Sequence, residues 1–248
     1  IGEDGYQISR SVRLRSSASA YFNRTPASAG NRKTWTWSGW VKRGTLGASQ
    51  ALFTAGTTDT ARTLVYFEAA DTLYVLNNTG SGYYGRYTNA VFRDASAWYH
   101  IVVAVDTTQA TAANRVKIYI NGVEQTTTAN GGIDIPQNTD TYINSTIANY
   151  VGRNSSASNS YFDGYLTEVN FIDGQALTPS SFGETDAVTG VWKPKKYAGT
   201  YGTNGFYLNF SDNSNNTAAT IGKDYSGNGN NWTPNNISVT SGVTYDSM

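Results

Sequence analysis

Acidic residues are the first candidates for chemistry, because paired carboxylates can hydrolyse glycosidic bonds. A retaining glycosidase needs two carboxyl groups about 5 to 5.5 Å apart, which a strand supplies through a Glu-x-Asp-x-Glu alternation. No such string occurs in the chain. Glu184 and Asp186 have the first spacing but lie in a polar segment, and Glu168 and Asp173 have opposite parity. We interpret these side chains as surface carboxylates, and glycoside hydrolysis is the least favoured of three functional hypotheses.

The chain contains no cysteine and one histidine, His100. Thiolate nucleophiles, cysteine-based zinc sites and metal sites built on two imidazoles of one chain are therefore excluded. His100 lies within an apolar segment, so a buried structural imidazole is favoured over a general base or a ligand. We expect a protein that is not an enzyme and requires no cofactor.

Oxygen-bearing side chains at the ends of expected strands are the candidate metal ligands. Calcium takes Asp, Asn and backbone carbonyl oxygens that cluster on loops. The segment at 224–230 has an Asp-x-x-x-Asn-x-Asn spacing with glycines that permit close turns. The favoured alternative is that these residues form Asx turns with their own backbone. The candidates for calcium binding are Asp71, Asp106, Asp163, Asp224 and Asn228.

The segment at 80–89 combines aromatic rings, polar side chains and glycines. Sugars present apolar C–H faces and hydroxyl edges, so a flat ring beside amide or guanidinium groups suits them. The flanking glycines favour a loop, and the alternative is a strand whose tyrosines pack against the sandwich edge. Trp40 is a second platform, unless the C-terminal segment covers it. The predicted ligand-binding residues are Tyr83, Tyr84, Arg86, Tyr87, Asn89 and Trp40.

Short segments of period-two alternation must position these residues. Glycine (25) and tyrosine (18) are abundant, and charged residues make up only 15% of the chain, as in β-rich proteins with many turns. Residues 115–120 alternate apolar and polar side chains, and Asn121-Gly122 then favours a type I′ hairpin turn. Trp35 and Trp37 share one parity, which we assign to the core side of a sandwich.

One expected strand, at 161–172, changes its apolar parity between Leu166 and Val169. A single-residue β-bulge near Thr167 and Glu168 would turn both apolar side chains inward. The sequence therefore predicts a bulged strand at this position.

The pattern as a whole predicts an all-β sandwich with at most one or two short helical turns. Thr178-Pro179 marks the one turn that we place, because proline suits the first helical position. We expect residues 1–248 to form one domain, with the main sandwich at 10–183. The Gly- and Asn-rich segment at 190–248 has apolar patches too short for a core of its own, so it should add strands to the sandwich.

Five strings and a following tripeptide occur in a fixed order along the main sandwich. They are Trp-Thr-Trp-Ser-Gly-Trp-Val at 35–41, Trp-Tyr-His-Ile-Val-Val-Ala-Val-Asp at 98–106, Lys-Ile-Tyr-Ile-Asn-Gly-Val at 117–123, Val-Gly-Arg at 151–153, and Phe-Asp-Gly-Tyr-Leu-Thr-Glu-Val-Asn-Phe-Ile at 162–172 with Ala-Leu-Thr at 176–178.

In this order the strings resemble the laminin-G-like, concanavalin A-like lectin domain. The resemblance implies an antiparallel two-sheet jelly roll with ligand loops, and often a calcium ion, on its rim. The strings at 206–212 and 224–232 resemble the segment that usually opens such a domain. Circular permutation is the favoured explanation, and the start of a second module is the alternative. Arg-Leu-Arg at 13–15, Tyr-Phe-Asn-Arg-Thr-Pro at 21–26 and the Gly- and Asn-rich tail also resemble modules of tailed-bacteriophage virion proteins. This resemblance implies a tail fibre or similar appendage.

Charge and hydropathy limit the partners. The 18 basic and 18 acidic residues cancel, which disfavours nucleic acid binding, and no apolar run approaches the ~18 residues of a membrane span. The leading hypothesis is a virion or extracellular module that binds a cell-surface glycan or polysaccharide and contacts other virion proteins. A homo-oligomer would add multivalency. The alternative is a purely structural virion decoration protein with no glycan ligand.

Overall fold

The computed structural model describes residues 6–248. Its strands, in chain order, are β1 (Val12–Leu14), β2 (Tyr21–Arg24), β3 (Thr34–Arg43), β4 (Gln50–Thr58), β5 (Ala61–Phe67), β6 (Leu73–Asn78), β7 (Tyr83–Thr88), β8 (Tyr99–Asp106), β9 (Val116–Ile120), β10 (Val123–Glu124), β11 (Thr127–Ala129), β12 (Asn149–Val151), β13 (Gly164–Asp173), β14 (Gly183–Thr185), β15 (Trp192–Pro194), β16 (Phe206–Leu208) and β17 (Thr233–Asn235).

Two large antiparallel sheets contain all but two of these strands. The first sheet has the order β1-β13-β3-β8-β9-β10, with β16 also paired to β13. The second has the order β11-β7-β6-β5-β4-β12-β2-β17, and β14 and β15 form a separate pair. This arrangement confirms the predicted all-β, two-sheet antiparallel class.

The helices of the described chain are four single turns of 3-10 type, at Ser16–Ala18, Ala112–Asn114, Asn130–Gly132 and Pro179–Ser181. The turn at Pro179 is confirmed, but four turns exceed the one or two that we expected. Three residues make too short a segment to leave hydrophobic periodicity in a sequence, so the other turns gave no signal. No described helix has the length and apolar character needed to cross a membrane.

The core lies between the two sheets. Trp35 and Trp37 of β3 are fully buried on its inner face, as their parity predicted. The Trp37 ring stacks on Phe53 of β4 with 6.5 Å between ring centroids, and Phe53 also contacts Phe171 at 5.4 Å. Aromatic side chains therefore fill the space between the sheets and supply much of the buried apolar area.

Strand β13 contains the predicted bulge. Its pairing with β3 shifts by one residue between Thr167 and Asn170, and Glu168 has a positive φ of 52°. As a result, Leu166 and Val169 both lie in the core. The opposite edge of β13 is divided at the same place, because β1 pairs with its first part and β16 with its second.

The C-terminal segment contributes to both sheets. Strand β16 pairs with β13 in the first sheet, and β17 pairs with β2 in the second. Trp232 is 1% exposed, and its ring centroid lies 4.8 Å from that of Phe206 and 6.2 Å from that of Phe53. Residues 246–248 lie beside β1, where the Arg13 amide donates to the Asp246 carbonyl at 2.7 Å. Circular permutation stays a prediction for this segment.

A second apolar cluster covers part of the outer face of the first sheet. Val102 and Ile172 point outward from β8 and β13, and Phe182 and Tyr197 from the segment after β13 pack over them. The rings of Phe182 and Tyr197 stack at 5.2 Å. Both faces of these central strands are therefore apolar, which explains why β8 shows no alternation in the sequence.

His100 lies in this outer layer and is 1% exposed. Its ring stacks on Trp40 with 5.0 Å between ring centroids, and the Trp192 ring centroid lies 6.0 Å away. The Trp192 indole can only donate, and it donates to Nδ1 at 2.9 Å, so Nε2 carries the proton and faces the Ser38 hydroxyl oxygen at 2.9 Å. The expectation of a buried structural imidazole is confirmed, and both ring nitrogens are satisfied without a ligand.

We predict that Trp232→Ala lowers the free energy of unfolding by about 3 to 5 kcal/mol, because it removes a buried ring from the core. Urea denaturation monitored by circular dichroism measures the loss. The matched control is Val243→Ala, since Val243 belongs to the same C-terminal segment but is 95% exposed. A Trp232→Ala loss as small as that of the control would show that this segment does not complete the core.

We also predict a pH dependence that comes from His100. Burial lowers the pKa of His100 from 6.5 to about 3, so between these values the unfolded chain binds a proton that the folded chain does not. Stability is therefore lost as the pH falls, by about 1.4 kcal/mol per unit from this group once the pH is below about 6. Urea titrations from pH 7 to pH 4 should show a shallower loss for His100→Gln; equal slopes would contradict the assignment.

Candidate functional site

The predicted Tyr-rich loop is mostly strand β7, so the expectation of a loop is wrong. Gly85 has a φ of +144°, and a Cβ there would collide with the Val75 carbonyl oxygen of the neighbouring strand. The glycine therefore allows β6 and β7 to approach closely and does not mark a loop. Tyrosine and threonine favour strands, and pairing with β6 and β11 satisfies the backbone.

Strand alternation separates the predicted binding residues. Tyr83 is 51% exposed on the outer face, whereas Tyr84 packs against the core. Arg86 has the inward parity of Tyr84 and forms an ion pair with Asp134, with 3.3 Å between Nε and Oδ1. At the strand end, the Asn89 side-chain oxygen accepts a hydrogen bond from the Thr128 hydroxyl at 2.7 Å. These residues do not form one platform, and their role in binding stays a prediction.

Tyr87 belongs instead to a row of tyrosines across three strands of the second sheet. The Tyr87 and Tyr74 rings stack at 4.6 Å with 14° between their planes, and Tyr74 and Tyr66 lie 5.4 Å apart. Burial raises the pKa of Tyr66 well above its usual range. Because Tyr74 and Tyr87 cover each other's faces, the row offers ring edges and hydroxyl groups more than an open stacking surface.

Trp40 lies at the floor of a cleft on the outer face of the first sheet. The cleft has a volume of about 370 Å³, and we call it the tryptophan cleft. Its lining contains no acidic side chain and combines aromatic, aliphatic and hydroxyl groups with one guanidinium group. The lining residues are Ile8, Ser9, Arg10, Ser11, Trp40, Trp98, Thr167 and Met248.

Three elements position the cleft. Trp40 of β3 pairs with Thr167 of β13 on one side and with His100 of β8 on the other. The Thr167 hydroxyl donates to the Arg10 carbonyl oxygen at 2.7 Å, which anchors the segment before β1. Trp98 precedes β8 and reaches the cleft from the same face.

The chemistry of the cleft is that of an apolar wall with a polar rim. One face of the Trp40 ring stacks on His100, and the side chain is 9% exposed. The indole Nε1–H of Trp40 is buried and has no hydrogen-bond acceptor among the described residues. Such a site can stack an apolar ring face and bind polar substituents at its edge.

The predicted calcium ligands lie apart. Asp71 is buried and forms ion pairs with Arg43 at 3.0 Å and Arg93 at 2.9 Å. Asp106 accepts hydrogen bonds from the side chains of Thr108 at 2.6 Å and Gln109 at 2.7 Å. Protein donors already occupy the oxygens that a cation would need at both positions.

The remaining candidates are also hydrogen bonded. Asp163 accepts from the Ser16 amide at 3.1 Å, and Asp224 accepts from the Asn230 amide at 2.8 Å. The Asn228 amide donates to two backbone carbonyl groups of the C-terminal segment. Within residues 6–248, no three His, Cys, Asp or Glu side chains are grouped to hold a metal ion. Calcium at these positions stays a prediction.

The carboxylates considered for hydrolysis occupy unsuitable places. Glu168 is not the surface carboxylate that we expected, because it is buried in the bulge. There it accepts hydrogen bonds from the Tyr6 hydroxyl at 2.6 Å and the Tyr207 hydroxyl at 2.8 Å. Burial raises the pKa of Glu168. Glu184 and Asp186 both lie beside Lys193, at 3.7 and 3.2 Å. The contacts of Glu168 are those of a structural carboxyl group. Those of Glu184 and Asp186 are those of a surface ion-pair cluster.

Among the residues that line the cleft, the sequence analysis named Trp40 alone, and its role in binding stays a prediction. Trp98 shares the parity of His100, so its position on the outer face could have been inferred. Arg10 and Met248 gave no signal, because they reach the cleft only after residues 11–13 and 246–248 meet next to β13.

Comparisons with known proteins agree with this architecture. The family described as the concanavalin A-like lectin/glucanases superfamily matches residues 16–181, about two thirds of the chain. Comparison with curated protein sequences finds no match.

Solved structures share the fold at low sequence identity. A heptameric SAP-like pentraxin from Limulus polyphemus matches at 14% identity and a TM-score of 0.50, over 70% of this chain and 80% of its own. A proposed carbohydrate-binding protein from Bacteroides ovatus matches at 16% identity and a TM-score of 0.55, over 93% of this chain and 59% of its own.

Domains LG4-5 of the mouse laminin α1 chain match at 12% identity and a TM-score of 0.47, over 77% of this chain and 47% of that chain. The family match covers most of the main sandwich and includes the strands that carry Trp40 and His100. The chain belongs to the concanavalin A-like lectin/glucanases superfamily.

Proposed function

We propose that this protein is a non-catalytic module that binds a saccharide in the tryptophan cleft. We further propose that a virion appendage of a tailed bacteriophage carries it, so that it contacts a glycan on the host surface. The observation that carries the binding role is the fixed indole of Trp40, which lines a cleft of about 370 Å³ beside a second indole.

The cleft suits a sugar in size and chemistry. Small-ligand sites usually have volumes of about 300 to 1,000 Å³ and combine apolar walls with a few polar groups. A pyranose ring can place its C–H face on Trp98 or Trp40 and direct its hydroxyl groups to Ser9, Ser11 and Thr167. Stacking against His100 holds the Trp40 ring in place, so little side-chain entropy is lost on binding.

A binding role is better supported than hydrolysis. The carboxyl group of Glu168 is enclosed by tyrosine hydroxyls, and Glu184 and Asp186 share one lysine. The similarly folded protein from Bacteroides ovatus is itself a proposed carbohydrate-binding protein, and this supports the proposal by analogy of fold alone. A shallow single site binds weakly, so display of several copies would supply the avidity that attachment needs.

We predict that Trp98→Ala lowers saccharide affinity by about tenfold or more, because it removes one aromatic wall of the cleft. Binding is measured with a glycan array and then by titration of the purified chain with the polysaccharides that bind. Tyr83→Ala is the comparison variant, since Tyr83 is an exposed aromatic residue of the other predicted binding surface, on the second sheet. A loss in Tyr83→Ala without a loss in Trp98→Ala would move the site to that surface. Equal losses in both variants would place the site elsewhere.

The host-surface role is tested with fluorescently labelled chain, as a monomer and as an engineered multimer, on intact bacterial cells. Multimer binding that Trp98→Ala abolishes supports the proposal. Location on the appendage is tested by immunogold electron microscopy of virions. If the chain is found on virions but neither form binds any cell or polysaccharide, the structural decoration role replaces this one.

A further inference from the structure

Arg10, Arg13 and Arg15 lie close together in the sequence, and two of them share a single carboxylate. Asp246 is fully buried and accepts from Arg13 Nε at 3.2 Å and from Arg15 Nε at 2.7 Å. The Arg15 guanidinium also donates to the second Asp246 oxygen at 3.0 Å. Both carboxylate oxygens of Asp246 are therefore already bonded to arginine side chains.

Arg10 is the third arginine, and it lines the cleft. Its only side-chain hydrogen bond within the described chain is a long one, 3.4 Å from Nη1 to the Ser247 hydroxyl oxygen. No described carboxylate lies within ion-pair distance of it. A guanidinium group has five N–H donors in a planar fork that matches a carboxylate in two-point fashion.

The rest of the cleft reinforces this preference. No Asp or Glu lines it. Arg10 is therefore the one charged side chain of the lining, and it lies in a cleft that two indole rings also line. A neutral sugar would leave the Arg10 guanidinium without a carboxylate side chain from the described cleft lining, whereas an acidic sugar would bring a carboxylate into a partly apolar site, where ionic hydrogen bonds are strong.

We propose that the tryptophan cleft selects saccharides that carry a carboxylate, such as hexuronic acid residues, and that Arg10 binds the acidic group. The pyranose face stacks on the indole wall, and the carboxylate at the ring edge accepts two hydrogen bonds from the guanidinium group. This inference rests on the proposed saccharide-binding function and specifies its ligand class.

The test uses oligomers of galacturonate, glucuronate and mannuronate, each beside its carboxyl-reduced neutral counterpart and its sulfated neutral counterpart. Affinities for the full 248-residue chain are measured by titration calorimetry at low salt and at 0.5 M NaCl. We expect at least one uronate to bind about tenfold to a hundredfold more tightly than its reduced form. We also expect high salt to reduce that ratio.

Arg10→Gln should lower the affinity for that uronate to the level of the reduced oligomer and leave the reduced oligomer's own affinity unchanged. Lys33→Gln is the matched control, because it removes the same charge from a residue outside the cleft lining and should leave the ratio intact. Circular dichroism checks that each variant folds. Arg10→Lys should recover only part of the preference, since an ammonium group lacks the planar fork.

The outcomes separate the two proposals. If reduced and acidic oligomers bind equally, or if Arg10→Gln keeps the preference, acid selection by Arg10 is overturned while saccharide binding stands. Tighter binding of the sulfated series than of the uronates overturns carboxylate selection in favour of sulfate. If no oligomer of any series binds, both the selection of carboxylates and the proposed binding of these saccharides are overturned.

Discussion

The single-residue bulge in β13 is the constraint on which the rest of this sandwich depends. Glu168 takes a positive φ of 52° there, and the extra residue returns Leu166 and Val169 to the same inner face. The bulge also ends the pairing of β1 and allows β16 to begin on the same edge. Without it, one half of the strand would turn its apolar side chains to the outer face.

This division brings residues 11–13 and residues 246–248 together. Strand β1 pairs with β13 on one side and contacts residues 246–248 on the other. The segment before β1 is then anchored to Thr167, next to the bulge, and forms one wall of the tryptophan cleft. The geometry of the proposed binding site is thus a direct consequence of an irregularity in a core strand, and the buried carboxyl group of Glu168 is a structural part of that irregularity.

The tyrosine row and the tryptophan cleft differ in how their aromatic ring faces are covered. In the tyrosine row, the Tyr74 and Tyr87 rings of one sheet stack on each other, so each ring covers a face of its neighbour. In the tryptophan cleft, Trp40 stacks on His100 with one face, and His100 is held in turn by Trp192. The second arrangement fixes an indole that lines a cleft, and Arg10 adds a charged group to the same lining. Aromatic content alone would not have distinguished these surfaces.

The sequence by itself determined the all-β class, the inward parity of Trp35 and Trp37, the bulge near Glu168 and the buried character of His100. Each follows from local alternation, and a two-residue period needs only neighbouring residues to be recognised. Only the tertiary structure decided that Gly85 permits close strand approach and that the residues of β7 divide between two faces. It alone placed Arg10 and Trp98 beside Trp40. Strand register and the meeting of distant chain segments fix these contacts, and no local pattern in the sequence encodes which distant segment will arrive.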